Sequence, residues 1–323
     1  MNFASINPGL RRRRKLKNTL HTWLLAGGSL MLLIVCAWAL AGPGGVIWVG
    51  LGGALSLYVA THMSPKVVLR LYRARPIPEH VFVDGHRVMR ILAQRAELPV
   101  VPQLYLVPSR MMNAFAVGNR DESAICVTDG LLRGLSLQEF AGVMAHEMSH
   151  VANGDLRVMA LADVVSRMTS TMSTIGIFLV LFHLPALMDG DGVPWLGIGL
   201  LMIAPTIGGL LQLALSRTRE YDADLDAVSL TGDPQGLAGA LMKLEKAEGR
   251  MWEAMTLPGA RLPDPSLLRT HPKTRERVKR IMELTPHGDL SKPLSGATPK
   301  IGRSIVPILG RPRFRARGMG LWY

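Results

Sequence analysis

The sequence predicts a mainly α-helical chain with a small β-sheet (α+β). Four transmembrane helices pair into two hairpins, and a soluble body is divided by the second hairpin. Three observations predict this. Four uncharged apolar runs lie at 20–41, 46–63, 168–188 and 193–216. All 37 Lys and Arg residues fall outside these runs and outside the short turns that join them in pairs. The polar remainder carries helical patterns around three short β-like runs.

Composition agrees. Of 323 residues, 48% are hydrophobic and only 19% charged, a low charge fraction for a chain that lives wholly in water. The net charge of +13 raises nucleic acid as a partner, but distribution argues against it. Basic residues cluster at 11–17 and 292–317, without the interleaved aromatic ladder of a single-strand binder. Basic flanks beside apolar runs set membrane orientation instead. Cys36 lies in an apolar run and Cys126 in a β-like run, so the cysteines make neither a disulfide framework nor a metal knuckle.

The elements follow in order. Residues 1–19 form a basic N-terminus and 20–63 the first hairpin, turned at GPGG (42–45). Each run approaches the ~20 residues that span a ~30 Å hydrocarbon core. Trp23, Trp38, Trp48 and Trp195 fall near run ends, where indole favours the interface. The first run resembles a secretory leader, with ALA (39–41) as its cleavage site. Its length and the second run directly after it favour a retained span. Residues 168–216 form the second hairpin, turned at DGDG (189–192). Neither turn carries Lys or Arg, so both are expected outside and everything else in the cytoplasm.

The soluble body comprises 64–167 and 217–285. In its first half, 79–98 reads as an amphipathic helix with Val83, Val88, Ile91 and Leu92 on its apolar side. Strands are expected at 103–107, 113–117 and 124–128. SLQE (136–139) is a capping box that starts the next helix. In the second half, helices are expected over 218–230, ending near Gly232, and over 272–284. Residues 286–323 lack periodicity and read as a flexible basic tail.

The helix started by SLQE carries HEMSH (146–150). His146 and His150 are one turn apart on one face, a spacing that lets two imidazoles hold one Zn²⁺. Glu147, beside the first of them, can take a proton from water at such a metal. A third ligand is needed, and Glu220 and Asp224 share a face of the helix after the fourth run. One can bind metal while the other holds a ligand imidazole; Glu220 ranks first. A hairpin returns the chain to its starting side, so the two halves can meet at the cytoplasmic surface.

NAFAVG (113–118), VTDGLL (127–132), AHEMSH (145–150), NGD (153–155), REYDAD (219–224) and THPKTRERV (270–278) occur in an order that resembles the HtpX-like membrane metalloproteases. These are gluzincins related to the type I CAAX prenyl proteases. The resemblance implies a cytoplasmic zincin-like catalytic domain. It implies one zinc ion per chain on His146, His150 and Glu220, with Glu147 as general base and acid and Asp224 supporting the ligands. It assigns His271 and Arg277 to the oxyanion and Asn113, Ala114, Phe115 and Ala116 to an edge strand that pairs with substrate. Asp155 matches as well, without an assigned chemistry. The tail after about 286 has no counterpart in the resemblance.

The function expected is a membrane-embedded zinc endopeptidase of a bacterial inner membrane. It would cut misfolded or damaged membrane proteins at the cytoplasmic face, and homo-oligomer formation is compatible with it. An intramembrane site-2-type protease is disfavoured because Asn153, Asp155 and Arg157 follow the motif too closely for lipid. An inert membrane scaffold is disfavoured because the candidate site is complete.

Overall fold

The computed structural model describes residues 8–62, 64–182, 195–255 and 274–283; DGDG, His271 and the tail lie outside them. In chain order the elements are α1 (Pro8–His62), α2 (Pro65–Leu71), β1 (Arg75–Pro76), α3 (Val83–Arg95), β2 (Gln103–Val107), β3 (Ala114–Gly118) and β4 (Ser123–Thr128). Then come α4 (Asp129–Gly134), α5 (Leu137–Asn153), α6 (Asp155–Phe182), α7 (Trp195–Thr231), α8 (Pro234–Met255) and α9 (Thr274–Met282). The fold is mostly helical with one small sheet. It divides into two compact units, one built mainly from Ser64–Leu156 and the chain from Glu220, the other from Arg13–Met63 and Arg157–Arg219.

In the first unit the sheet order is β1-β2-β4-β3, with β2 and β4 parallel and the other pairs antiparallel. β4 is buried at every position because it is central and covered on both faces, which accounts for its unbroken apolar run. Ile125 and Val127 join a core with Leu92, Phe140 and Met144. Ala124 and Cys126 join Leu69, Val107 and Val117 under α2. Two-residue β1 closes one edge, where Pro76 is tolerated. β3 forms the other edge. Thr128 N–H donates to the Asn113 carbonyl, so by the antiparallel alternation Phe115 and Val117 direct backbone groups to β4. The backbone groups of Ala114 and Ala116 point away from the sheet.

The helix of the motif forms as its sequence predicts. Ser136 Oγ accepts from Glu139 N–H at 3.2 Å and Glu139 Oε2 accepts from Ser136 N–H at 2.7 Å, closing the capping box. Phe140, Met144, Met148 and Val151 recur on the buried face. Gly142 admits α8: a Cβ there would lie 2.9 Å from the Leu237 backbone. In α3 the buried stripe is Val88, Met89, Leu92 and Ala93. Val83, expected on the apolar side, is instead 48% exposed. It is the first helical residue, and Phe82 just before it enters the core, with its ring 5.3 Å from that of Phe140.

In the second unit, α1 breaks at Ala41 and Gly42, whose φ values are −143° and 60°, with Pro43 following. This is the GPGG turn. Gly28 lies against Leu211, Leu32 against Gly208 and Ala39 against Gly197, so the first apolar run packs antiparallel to the start of α7. The packed centre is Leu33, Cys36, Ala37, Val165, Met172, Leu201 and Ala204. Trp23, Trp38 and Trp48 face outward. The hydroxyls of Ser29 and Thr169 donate back to the carbonyls four residues earlier, which removes polar groups from an apolar setting. Among the described residues, two helical stretches, Thr19–Ser56 and Gly197–Thr231, are long and apolar enough to cross a membrane.

Candidate metal centre

Stretches of three helices that fall in the first unit build the centre. α5 presents His146 and His150 one turn apart, and α7 presents Glu220 and Asp224 one turn apart. The two helices are fastened by Asp226 Oδ2, which accepts from Ser149 Oγ at 3.1 Å and Asn153 Nδ2 at 2.8 Å. α9 contributes Arg277, buried beneath the glutamate helix.

The three donor groups converge. His146 Nε2 lies 3.2 Å from His150 Nε2 and 3.4 Å from Glu220 Oε2, and His150 Nε2 lies 3.8 Å from Glu220 Oε1. Ligands about 2.0–2.1 Å from a tetrahedral ion stand about 3.3 Å apart, so these atoms outline one face of such a site. The residues therefore fit a cation of zinc's size and donor preference, with a fourth position left over.

The outer contacts set the ring nitrogens. His150 Nδ1 is 2.8 Å from Asp155 Oδ2, and His146 Nδ1 is 3.1 Å from Asp224 Oδ1. A carboxylate accepts only, so His150 Nδ1 donates to Asp155 and His146 Nδ1 faces Asp224 as an ion pair, which leaves each Nε2 turned toward the centre. Arg277 grips Asp224 with two hydrogen bonds of 2.7 Å and reaches Glu220 Oε2 at 2.9 Å through its third nitrogen. Electrostatics agree with a cation site. Burial alone disfavours a charged His146, but hydrogen bonds to Asp224 and Glu220 and the Glu220 charge outweigh it and raise its pKa to about 10. Burial likewise opposes ionisation of Asp224, yet the bonds from Arg277 and His146 hold its pKa below the usual value.

Glu147 faces the same centre. Its Oε2 accepts from the outward-pointing N–H of Ala116 at 3.0 Å, which ties the strand edge to this carboxylate. Its pKa is raised above the usual value, because burial, with the Glu220 charge, outweighs the charges of His146 and His150 and the Ala116 bond. A carboxylate with a raised pKa can both accept and return a proton.

The structure thus brings together His146, Glu147, His150, Glu220, Asp224 and Arg277. Ala114, Phe115 and Ala116 lie on β3, with exposed Asn113 just before it. Phe115 packs under α2 near Tyr72, on the sheet face away from α5. His271 lies outside the described residues. Sequence reasoning left Asp155 without a role and overlooked the Ser149–Asn153–Asp226 clamp. An acid directly after the glycine that ends the motif helix is the signal that could have found the first. The second joins residues far apart in sequence and left no local signal.

Comparison with known proteins agrees. Residues 80–285 match the model of peptidase family M48. A "Protease HtpX homolog" of Burkholderia ambifaria is 34% identical over 286 residues, covering 84% of this chain and 98% of that protein. "Protease HtpX" of Legionella pneumophila is 34% identical over 279 residues, covering 82% and 98%. A crystal structure of S. mikatae Ste24p is similar with a TM-score of 0.45 and 17% identity, covering 83% of this chain and 66% of that one. The chain belongs to peptidase family M48, with the HtpX membrane metalloproteases as its relatives.

Proposed function

We propose that this protein is a membrane-embedded, zinc-dependent endopeptidase that cleaves misfolded or damaged membrane proteins at the cytoplasmic face of a bacterial inner membrane. The carrying observation is the convergence of His146, His150 and Glu220 beside Glu147, with the edge strand β3 bonded to that glutamate through Ala116 N–H. One Zn²⁺ per chain suits the mixed imidazole and carboxylate set. When bound, zinc would polarise the scissile carbonyl and acidify a water. Glu147 takes the proton of the attacking water and passes it to the leaving amine. An extended substrate segment pairs with the backbone of Asn113 to Ala116, which gives affinity with little demand on sequence. Arg277 supplies a fixed cation beneath the carboxylates, and His271 a donor for the oxyanion.

Four spans in two hairpins are part of this reading. The break in α1, the outward tryptophans and the apolar continuation of α6 to Phe182 support them. The absence of Lys and Arg from both hairpin turns supports the cytoplasmic orientation. The quality-control role rests on the HtpX resemblance. Homo-oligomer formation is compatible with the reading, and no nucleic acid enters it.

Glu147→Gln, purified in detergent, should keep zinc and stop cleaving an unfolded protein such as casein. His150→Ala should lose both. Undiminished cleavage by Glu147→Gln would falsify the mechanism. Reporters fused at 189–192 and after residue 285 should lie on opposite sides of the membrane; a shared side refutes the topology.

A further inference from the structure

The segment that ends the motif helix carries a second message. α5 stops at Asn153, and Gly154 follows in the left-handed conformation at φ 69°, ψ 23°. Its N–H donates to the His150 and Val151 carbonyls. That reversal starts α6 at once, and the first residue of α6 is Asp155. A non-glycine residue at that φ would be strained, so the turn is tuned for tightness. Its effect is to bring the Asp155 carboxylate back over the preceding turn of α5, where Oδ2 sits 2.8 Å from His150 Nδ1. Asp155 is only 2% exposed. An acid buried so deeply needs a partner, and the ring supplies it.

We propose that Asp155 is a positioning residue for the metal ligand His150: it accepts the Nδ1 proton, fixes the tautomer and aims Nε2 at His146 and Glu220. This rests on reading His146, His150 and Glu220 as a metal site. Without Asp155, the His150 ring can rotate or place its proton on Nε2, and either change removes one donor from the site. Loss of such an outer partner typically weakens metal binding by about 10–100-fold.

The test uses the full-length chain in detergent and reads zinc affinity by competition with a chromophoric chelator. Asp155→Ser keeps a residue suited to a helix start but is too short to reach His150. Asp155→Asn keeps the shape and the hydrogen bond but drops the charge. The expected result is roughly 10–100-fold weaker zinc binding for Asp155→Ser and a smaller loss for Asp155→Asn. The thermal unfolding of the metal-free protein should stay near that of the wild type. Casein cleavage lost at limiting zinc should return as zinc is raised, which a merely structural defect would not allow. Wild-type zinc affinity in either folded variant overturns the proposal. So does a loss of cleavage in both variants that added zinc does not restore. A wild-type chain that binds no zinc overturns the metal-site reading itself, a result distinct from unchanged affinity in the variants.

Discussion

The two histidines of the centre are held in opposite ways. His150 is held locally, by an aspartate five residues further on across a single glycine turn. His146 is held from a distance, by Asp224 of α7, which is itself gripped by Arg277 of α9, 53 residues beyond. The local arm forms whenever α5 ends in its glycine turn. The distant arm exists only once three helices have packed, because its closure entropy is met by tertiary contacts alone. Mutations that loosen packing should therefore disable the His146 arm first.

Arg277 offers the strongest way to break this comparison. Its side chain is 7% exposed and, among the described residues, its guanidinium fork contacts Asp224 and Glu220. Arg277→Met leaves two carboxylates close together without their cation. Removing one partner of a buried ion pair costs about 3–5 kcal/mol. At ~2–4 °C per kcal/mol for a body of this size, the unfolding midpoint should fall by roughly 10 °C. Arg277→Lys should recover part of it, since an ammonium restores the charge but not the planar two-bond grip on Asp224. A thermal scan with unchanged midpoint in Arg277→Met would show that the His146 arm does not depend on α9.

Asp226 tests the joint between the arms. Its carboxylate fastens Ser149 and Asn153 of α5 to α7, so it holds the glutamate helix against the motif helix without touching the centre. Asp226→Ala removes the shared acceptor of Ser149 and Asn153, leaving only the bond between those two, and should cost about 1–3 kcal/mol. Zinc affinity should drop with it, because Glu220 rides on the loosened helix. If stability falls and affinity does not, α7 is held in place by its other contacts.

The same contrast marks what the sequence could reveal. Local signals were legible: the SLQE box, the one-turn spacing of His146 and His150, the strands at β2, β3 and β4, and the GPGG break. Each is written in a few neighbouring residues. Four-residue spacing placed Glu220 and Asp224 on one face, but the cation that contacts both of them is Arg277, which arrives from another helix. Nothing near Asp224 announces that. Val83 failed for a related reason, since the apolar pattern cannot tell that Phe82 fills the core in its place. α8 was legible and went unread: Asp233 caps it through Gly236 N–H and Pro234 opens it, a start signal that needs no tertiary context.

The smallest effect belongs to the far end of α5. Ser136 satisfies Glu139 N–H at the helix start, and the Glu139 carboxylate returns the bond. Ser136→Ala should cost about 1 kcal/mol and lower the midpoint by about 3 °C. His146 and His150 lie two turns or more along the helix, past the buried Phe140 and Met144, so both arms should feel the loss equally and zinc affinity should hold. A Ser136→Ala variant that loses zinc while barely losing stability would mean that the start of α5 sets the centre's geometry. The division into a local and a distant arm would then give way to a single rigid helix that positions both histidines together.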